Sequence, residues 1–364
     1  MSLEQKLPTR KLHVAVLMGG ASNERAVSLS TGAMIAQALD PEKYLVATVD
    51  TRDMVALTAN VAGQLPPPSN NGRPNCASDV LPIEIKSAST LTTQTAKEES
   101  GRPDIVFIAL HGKGGEDGTI QGALELMGIP YTGSGVLASA LAMNKRMSKQ
   151  LFRMHGLPVI EERVVERKHA PSETQLLEMV QAQFGDAPLF VKPSSEGSTF
   201  GCSLVMDRAE LYTAVTFALQ FDEYVLVERY VQGKEITVGI LEDPEAPEGL
   251  KTLPVIEIIP KNAYYDYESK YSPGGSEHII PARLSEAQTQ QAQELARRCH
   301  QILGCSGMSR TDLIATEESL YVLEVNTIPG MTPTSLLPQA AESAGIAFPE
   351  LLDRLIASAL SKES

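Results

Sequence analysis

Near the carboxyl end of the chain, Arg310 and Asp312 stand two residues apart, and Glu324 and Asn326 repeat that spacing. Each pair belongs to a short apolar run, Arg310 to Ile314 and Tyr321 to Asn326, and a turn at Glu317, Glu318 and Ser319 separates the runs. That pattern predicts a β-hairpin. Side chains alternate along a strand, so Arg310 shares a face with Asp312, and Glu324 with Asn326. Pairing the strands brings three oxygen-donor side chains and one guanidinium to a single small volume. Such hard donors suit Mg²⁺, which keeps some waters and binds through one or two carboxylates plus the phosphates of a substrate. The implied substrate is a Mg²⁺-nucleotide. The wet face of an ordinary hairpin is the rival reading, and other parts of the chain must decide between them.

A second group lies around Lys192. The apolar stretch Leu189 to Val191 runs straight into this lysine, and the loop Pro193 to Gly201, rich in Ser and Gly, returns to Cys202–Met206. A hairpin without the G-K-[ST] ending is not a Walker loop. A small-residue flap with a lysine at its base instead suits phosphates, with free N–H groups and hydroxyls as donors and Lys192 as the charge. A lysine set among apolar residues needs an anionic partner. Further along, Glu228 and Glu235 bracket Tyr230 and Val231; these carboxylates could accept from an adenine amino group and ribose hydroxyls, or simply lie at an exposed strand end.

The elements that must position these groups follow from the hydrophobic pattern. Leu12–Met18 predicts a buried strand, followed by Gly19-Gly20, Glu24 and an amphipathic helix to about Leu39. Strand, glycine turn and helix N-terminus form an anion or small-ligand site. Glu24 there either favours the helix dipole or binds a ligand's ammonium group. Tyr44–Asp50 and Asp104–Leu110 predict two more strands, the second leading into His111 to Gly118, a loop with four glycines at the strand's carboxyl end. His111 or Glu116 could touch substrate there; glycines that only supply positive φ are the alternative. The first ~130 residues therefore predict a small parallel α/β domain. One helix is expected over Val136–His155, carrying Lys145, then strands over Val159–Val165, Tyr224–Glu228, Ile236–Leu241 and Leu253–Ile259. Helices are expected over Glu173–Phe184, Arg208–Leu219, Glu286–Leu303 and Pro349–Leu360, and Tyr264–Ser276 reads as an aromatic, charged closing loop. Residues 59–79 and 87–102 are polar excursions with no assignable chemistry.

Composition narrows the classes. At 364 residues the chain is too long for one ordinary core. Its 43% hydrophobic and 21% charged content is that of a soluble globular protein, and a net charge of −14 repels nucleic acid and anionic membrane surfaces. No membrane span or signal peptide is expected. Cys76, Cys202, Cys299 and Cys305 form no C-x-x-C pair, so neither a disulfide framework nor a zinc site is suggested, and a cytoplasmic location is expected.

Taken in order, Gly19-Gly20 with Ser22, Glu24 and Val27-Ser28-Leu29, His111-Gly112 with Gly115 to Gly118, Lys192-Pro193 with Glu196-Gly197-Ser198, Tyr265-Asp266-Tyr267 with Lys270-Tyr271, Arg310-Thr311-Asp312, and Glu324 to Thr327 with Pro329 to Thr332 resemble the D-alanine–D-alanine ligases of the ATP-grasp superfamily. The resemblance covers essentially the whole chain apart from the two polar excursions. It implies an α/β fold, α+β in its C-terminal half, with three domains: 1–133 (parallel α/β, first D-alanine side), 134–228 (central ATP-grasp) and 229–364 (C-terminal ATP-grasp). It implies ATP as a substrate, with Lys145, Lys192 and Lys270 on its phosphates, Glu228 and Glu235 on the adenosine, and Tyr230 and Val231 lining the adenine pocket. Asp312, Glu324 and Asn326 would hold two Mg²⁺ ions, with Mn²⁺ as a substitute. Glu24, supported by Ser198 and Tyr271 with His111 nearby, would take the first D-alanine's ammonium group; Ser335 and the Leu336 amide would take the second D-alanine's carboxylate. Arg310 and the Gly330 N–H would stabilise the oxyanion. Tyr271 is the pattern of dipeptide formers, whereas Phe there would suggest joining D-alanine to D-lactate. Asn144 departs from the Asp that relatives commonly carry before the lysine. Another ATP-grasp carboxylate–amine ligase, or a non-catalytic nucleotide-binding relative, would lack part of this set. A homodimer is the family's usual assembly.

Overall fold

A computed structural model of the chain describes residues 10–52, 102–197, 199–260 and 276–362. The amino-terminal sheet holds β1 (Leu12–Met18), β2 (Tyr44–Asp50) and β3 (Ile105–Ile108), all parallel, in the order β2-β1-β3. Parallel neighbours need a crossover connection, and α1 (Arg25–Ala38) supplies it between β1 and β2. The strands at Leu12–Met18 and Tyr44–Asp50 have the bounds that their apolar runs predict. Helix α2 (Thr119–Leu126) follows the loop after β3.

The expected single helix over Val136–His155 is instead two: α3 (Val136–Met143) and α4 (Lys145–Met154). Asn144 breaks them with an extended backbone, φ −90° and ψ 92°, and its side chain caps α4 by accepting from the Met147 N–H at 3.0 Å. Lys145 thereby becomes the first residue of a helix rather than a mid-helix position. Its backbone N–H donates to the Ser194 carbonyl at 2.9 Å.

A second, antiparallel sheet follows from β4 (Glu162–Glu166), α5 (Glu173–Phe184), β5 (Leu189–Pro193), β6 (Ser203–Val205), α6 (Leu211–Ala218) and β7 (Tyr224–Arg229), with strand order β4-β7-β5-β6. The strand expected over Val159–Val165 is thus shifted; Val159 makes only an isolated bridge to Val322. The third sheet contains β8 (Lys234–Glu242), β9 (Leu250–Thr252), β10 (Ile256–Pro260), β11 (Ser276–Ile279), β12 (Met308–Ala315) and β13 (Leu320–Asn326). Its order is β11-β10-β8-β12-β13, with β9 beside β8. Helix α7 (Glu286–Leu303) crosses this sheet between a Ser285/Gln288 capping box and a left-handed Gly304. Two further helices finish the described chain, α8 (Leu336–Ser343), which the sequence pattern did not predict, and α9 (Phe348–Ser361).

The apolar clusters do not follow chain order. Leu351, Leu352, Leu355 and Ile356 of α9 share one core with Leu12, Val16, Ile105 and Phe107 of the first sheet. Ala138, Ala142 and Phe152 of α3 and α4 pack with Val238, Leu313 and Val322 of the third. At ~1.5–3 kcal/mol for a fully buried Leu or Ile, these contacts fix the sheets around the crevice where the candidate chemistry gathers. Among the described residues, no helix is long and apolar enough to cross a membrane.

Candidate active site

The hairpin β12–β13 pairs Arg310 with Asn326 and Asp312 with Glu324, and its register shifts directly after Asp312. Asp312, 7% exposed, is held from three sides. Arg310 donates from Nε to Oδ1 at 3.0 Å and from Nη2 to Oδ2 at 2.9 Å, Asn326 Nδ2 donates to Oδ2 at 3.0 Å, and Thr237 Oγ1 on β8 donates to Oδ1 at 2.5 Å. Across the pair, Lys145 Nζ lies 2.9 Å from Glu324 Oε2. Two carboxylates set opposite one another in a partly buried crevice repel; Arg310 and Lys145 offset that charge here. Two carboxylates and an amide oxygen are a hard donor set that fits Mg²⁺. Among the described residues no group of three or more His, Cys, Asp or Glu assembles, so a cation here would complete its shell with water and substrate oxygens.

On one side of the hairpin a cavity of about 500 Å³ is lined by Lys145, Lys192, Glu228, Tyr230, Val231 and Glu235. Lys192 is the penultimate residue of β5, and Glu228 lies on the neighbouring β7 opposite Phe190, so Lys192 is its diagonal neighbour two residues along the same face. Lys192 Nζ is 3.0 Å from Glu228 Oε2, and buried Lys149 pairs with the other oxygen. Burial works to raise the Glu228 pKa, but the two lysines outweigh it and hold the carboxyl below its ordinary range. The anionic partner that a lysine in the Phe-Val-Lys-Pro stretch requires is thus, in the protein itself, Glu228. A carboxylate offers about four lone-pair sites, so acceptor capacity remains beyond these lysines.

On the other side, a cavity of about 560 Å³ is lined by Glu24, His111, Glu116, Arg310, Gly330 and Ser335, among others. Glu24 precedes α1 and is 6% exposed. Glycines make room for its carboxylate: a Cβ at Gly112 would lie 2.8 Å from Oε2, and one at Gly197 3.1 Å. His111 Nε2 meets Thr31 Oγ1 at 3.3 Å. Its pKa is lowered, by burial first, with Arg310 adding to the effect against the pull of Glu24. Glu116 Oε2 accepts the Gly112 N–H at 2.7 Å. Burial, then the Glu24 charge, pushes the Glu116 carboxyl up to about 8. Ser335 is the N-cap residue of α8 and Leu336 its first residue, and both line the cavity, so the amino-terminal end of that helix lies at its wall. Ser335 Oγ accepts the Thr332 N–H at 3.1 Å.

Lys145, Glu196 and Glu324 line both cavities. Lys145 is the pivot: besides Glu324, its Nζ donates to the Glu196 carbonyl at 2.6 Å, anchoring the loop after β5. Its pKa is raised; burial opposes this, and Glu324 leads the charges that prevail. Ser198, Lys270 and Tyr271, together with residues 264–275 of the expected closing loop and the excursions 59–79 and 87–101, lie outside the described residues. Two functional candidates escaped the sequence reading. Thr237 and Lys149 carry no motif, and only strand register and helix packing show that they hold Asp312 and Glu228.

Comparison with known proteins separates the possible ATP-dependent chemistries. The family model described as "D-ala D-ala ligase N-terminus" matches residues 13–134, and "D-ala D-ala ligase C-terminus" matches residues 151–357. The chain belongs to the D-alanine–D-alanine ligase family. A D-alanine–D-alanine ligase of Syntrophobacter fumaroxidans is 46% identical over 97% of this chain and 99% of its own. Among solved structures, the D-alanine–D-alanine ligase of Bacillus anthracis complexed with ATP aligns with a TM-score of 0.71 at 29% identity, over 97% of this chain and all of that one. The Coxiella burnetii enzyme aligns with a TM-score of 0.75 at 28% identity, over 97% of this chain and 94% of that one. The α/β fold of these ligases is therefore also the fold of this chain.

Proposed function

We propose that the chain joins two D-alanine molecules into D-alanyl-D-alanine at the expense of ATP, the activity its family membership carries. The observation that supports this site for it is the meeting of two cavities at Lys145 and Glu324. A two-substrate reaction through a phosphorylated intermediate needs such a junction, with the nucleotide on one side and the amino acids on the other.

A carboxylate is a poor electrophile, so the first D-alanine must be activated. Glu24 holds its ammonium group within the glycine cradle, with His111 nearby, and the ATP phosphates approach along Lys145 and Lys192. Tyr230 and Val231 enclose the adenine, and Glu235 serves the ribose. Asp312, Glu324 and Asn326 would hold Mg²⁺, which offsets phosphate charge as the phosphoryl group moves. Transfer of that group gives an acyl phosphate. The second D-alanine, its carboxylate on Ser335 and the Leu336 N–H, attacks through its amine. Arg310 and the Gly330 N–H stabilise the charge on the tetrahedral carbon's oxygen, a contribution of about 3–4 kcal/mol per donor. Loss of phosphate leaves the dipeptide. Ser198, Lys270 and Tyr271 join this scheme from the sequence alone, and Tyr271 favours D-alanine over D-lactate as second substrate. We also propose that the chain works as a homodimer in the cytoplasm; light scattering reads the assembly.

The test is phosphate release from ATP and Mg²⁺ with D-alanine, run beside L-alanine and beside D-alanine plus D-lactate, with products weighed by mass spectrometry. D-alanyl-D-alanine is expected. Release with D-lactate incorporated instead, or no release although ATP binds, overturns the reading.

A further inference from the structure

Five charged side chains form an alternating row from the surface of α4 to the 500 Å³ cavity. Arg153 Nη2 lies 3.0 Å from Glu162 Oε1, Glu162 pairs with Lys149, Lys149 pairs with Glu228 Oε1, and Lys192 lies 3.0 Å from Glu228 Oε2. Arg153 is half exposed, whereas Lys149 and Glu228 are at most 2% exposed. The fold forces the arrangement: Glu162 and Glu228 stand directly opposite in the β4–β7 register, and like charges there repel unless a cation separates them. Lys149, one helical turn after Lys145, is that cation, and the Ile160 carbonyl accepts a further bond from it at 3.0 Å.

The row has a definite charge balance. Arg153 and Lys149 match Glu162 and Glu228, so the four sum to zero and Lys192 is the surplus cation. We infer that Lys149 is a positioning residue for the nucleotide: it is the permanent counterion of Glu228 and so leaves the charge of Lys192 available to phosphate. Without Lys149, Glu228 would be a buried carboxylate with Lys192 as its one close cation among the described residues, and a phosphate would have to compete with it. Removing one partner of a buried pair is costly because the other charge stays behind. The inference rests on the nucleotide reading of the cavity and adds to it a residue that touches no substrate.

The two neighbours of this row make opposite predictions, which a merely structural role would not. Binding of ADP with Mg²⁺ is measured by calorimetry for the wild-type chain, Lys149→Met, Lys149→Arg and Glu162→Gln, with ATP and D-alanine KM values beside it. Lys149→Met is expected to weaken ADP binding at least tenfold and raise the ATP KM, with the D-alanine KM within twofold of wild type; Lys149→Arg restores most of the affinity. Glu162→Gln, which gives Lys149 wholly to Glu228, is expected to bind ADP as tightly as wild type or tighter. Lys149→Met binding like wild type overturns the inference, as does a threefold or greater loss in Glu162→Gln. Should Lys149→Met fail to fold, Glu162→Gln and Lys149→Arg decide on the same criteria. A wild-type chain that binds no ADP overturns the nucleotide reading and this inference with it.

Discussion

Arg310 grips Asp312 with two hydrogen bonds along one strand, Nε to Oδ1 at 3.0 Å and Nη2 to Oδ2 at 2.9 Å. The guanidinium thus spans the two halves of the proposed chemistry, touching a proposed metal ligand while lining the amino-acid cavity. Arg310→Ala should lower kcat on the order of a hundredfold or more, as loss of an oxyanion donor does, while ATP affinity changes far less. Thr237 and Asn326 still hold Asp312 in that variant. Steady-state kinetics with either substrate varied checks this; equal losses in turnover and ATP affinity would count against the oxyanion role.

Asn144 ties the α3–α4 break to the phosphate side of the site. Its Oδ1 accepts from Met147 N–H at 3.0 Å and from Ser194 Oγ at 3.1 Å, and the next residue is Lys145. Asn144→Ala should cost about 1 kcal/mol of stability, the usual worth of an N-cap, and raise the ATP KM because Lys145 loses its fixed start to the helix. Asn144→Asp keeps the acceptor and adds a favourable charge at a helix N-terminus, so its stability and KM should match or better those of wild type. Thermal melts and ATP titrations read both effects, and an aspartate variant as impaired as the alanine one would refute the capping account.

Glu116 gives a pH signature. Its folded carboxyl titrates near 8 against an ordinary value of 4.5, raised by burial and then by Glu24. The folded state therefore keeps a proton that the unfolded chain has released, and this contribution to stability is full below about 4.5 and lost as pH rises through about 8. Glu116→Gln has no such titration. Its melting temperature should gain on wild type between about pH 5 and pH 8; a difference that stays constant across that range removes the basis for a raised carboxyl.

Much of this was readable from pattern alone, for identifiable reasons. Two-residue spacing from Arg310 to Asp312 and from Glu324 to Asn326 puts each pair on one face, so the hairpin and its shared face follow, whereas the register shift after Asp312 has no signal in the pattern. Ser285 and Gly304 punctuate Glu286–Leu303 at both ends, and the helix has those bounds. The break at Asn144 was hidden because good helix formers flank it on both sides; the Ser194 backbone and hydroxyl, directly after β5, hold it. Lys149 looks like any surface lysine in an amphipathic stretch, and only the facing glutamates of β4 and β7 show otherwise. Helix α8 escaped because Pro338 falls within its first turn, where it costs no hydrogen bond.

The last described helix also bears on how the protein is born. Because Leu351, Leu352, Leu355 and Ile356 complete the core built on Leu12, Val16 and Phe107, and Asp353 receives Lys43 and the Tyr44 hydroxyl, a nascent chain that has only its first sheet lacks one of that sheet's apolar covers. Domains that emerge first from a ribosome often fold first. Here the opening strands lack that cover until α9 has been translated.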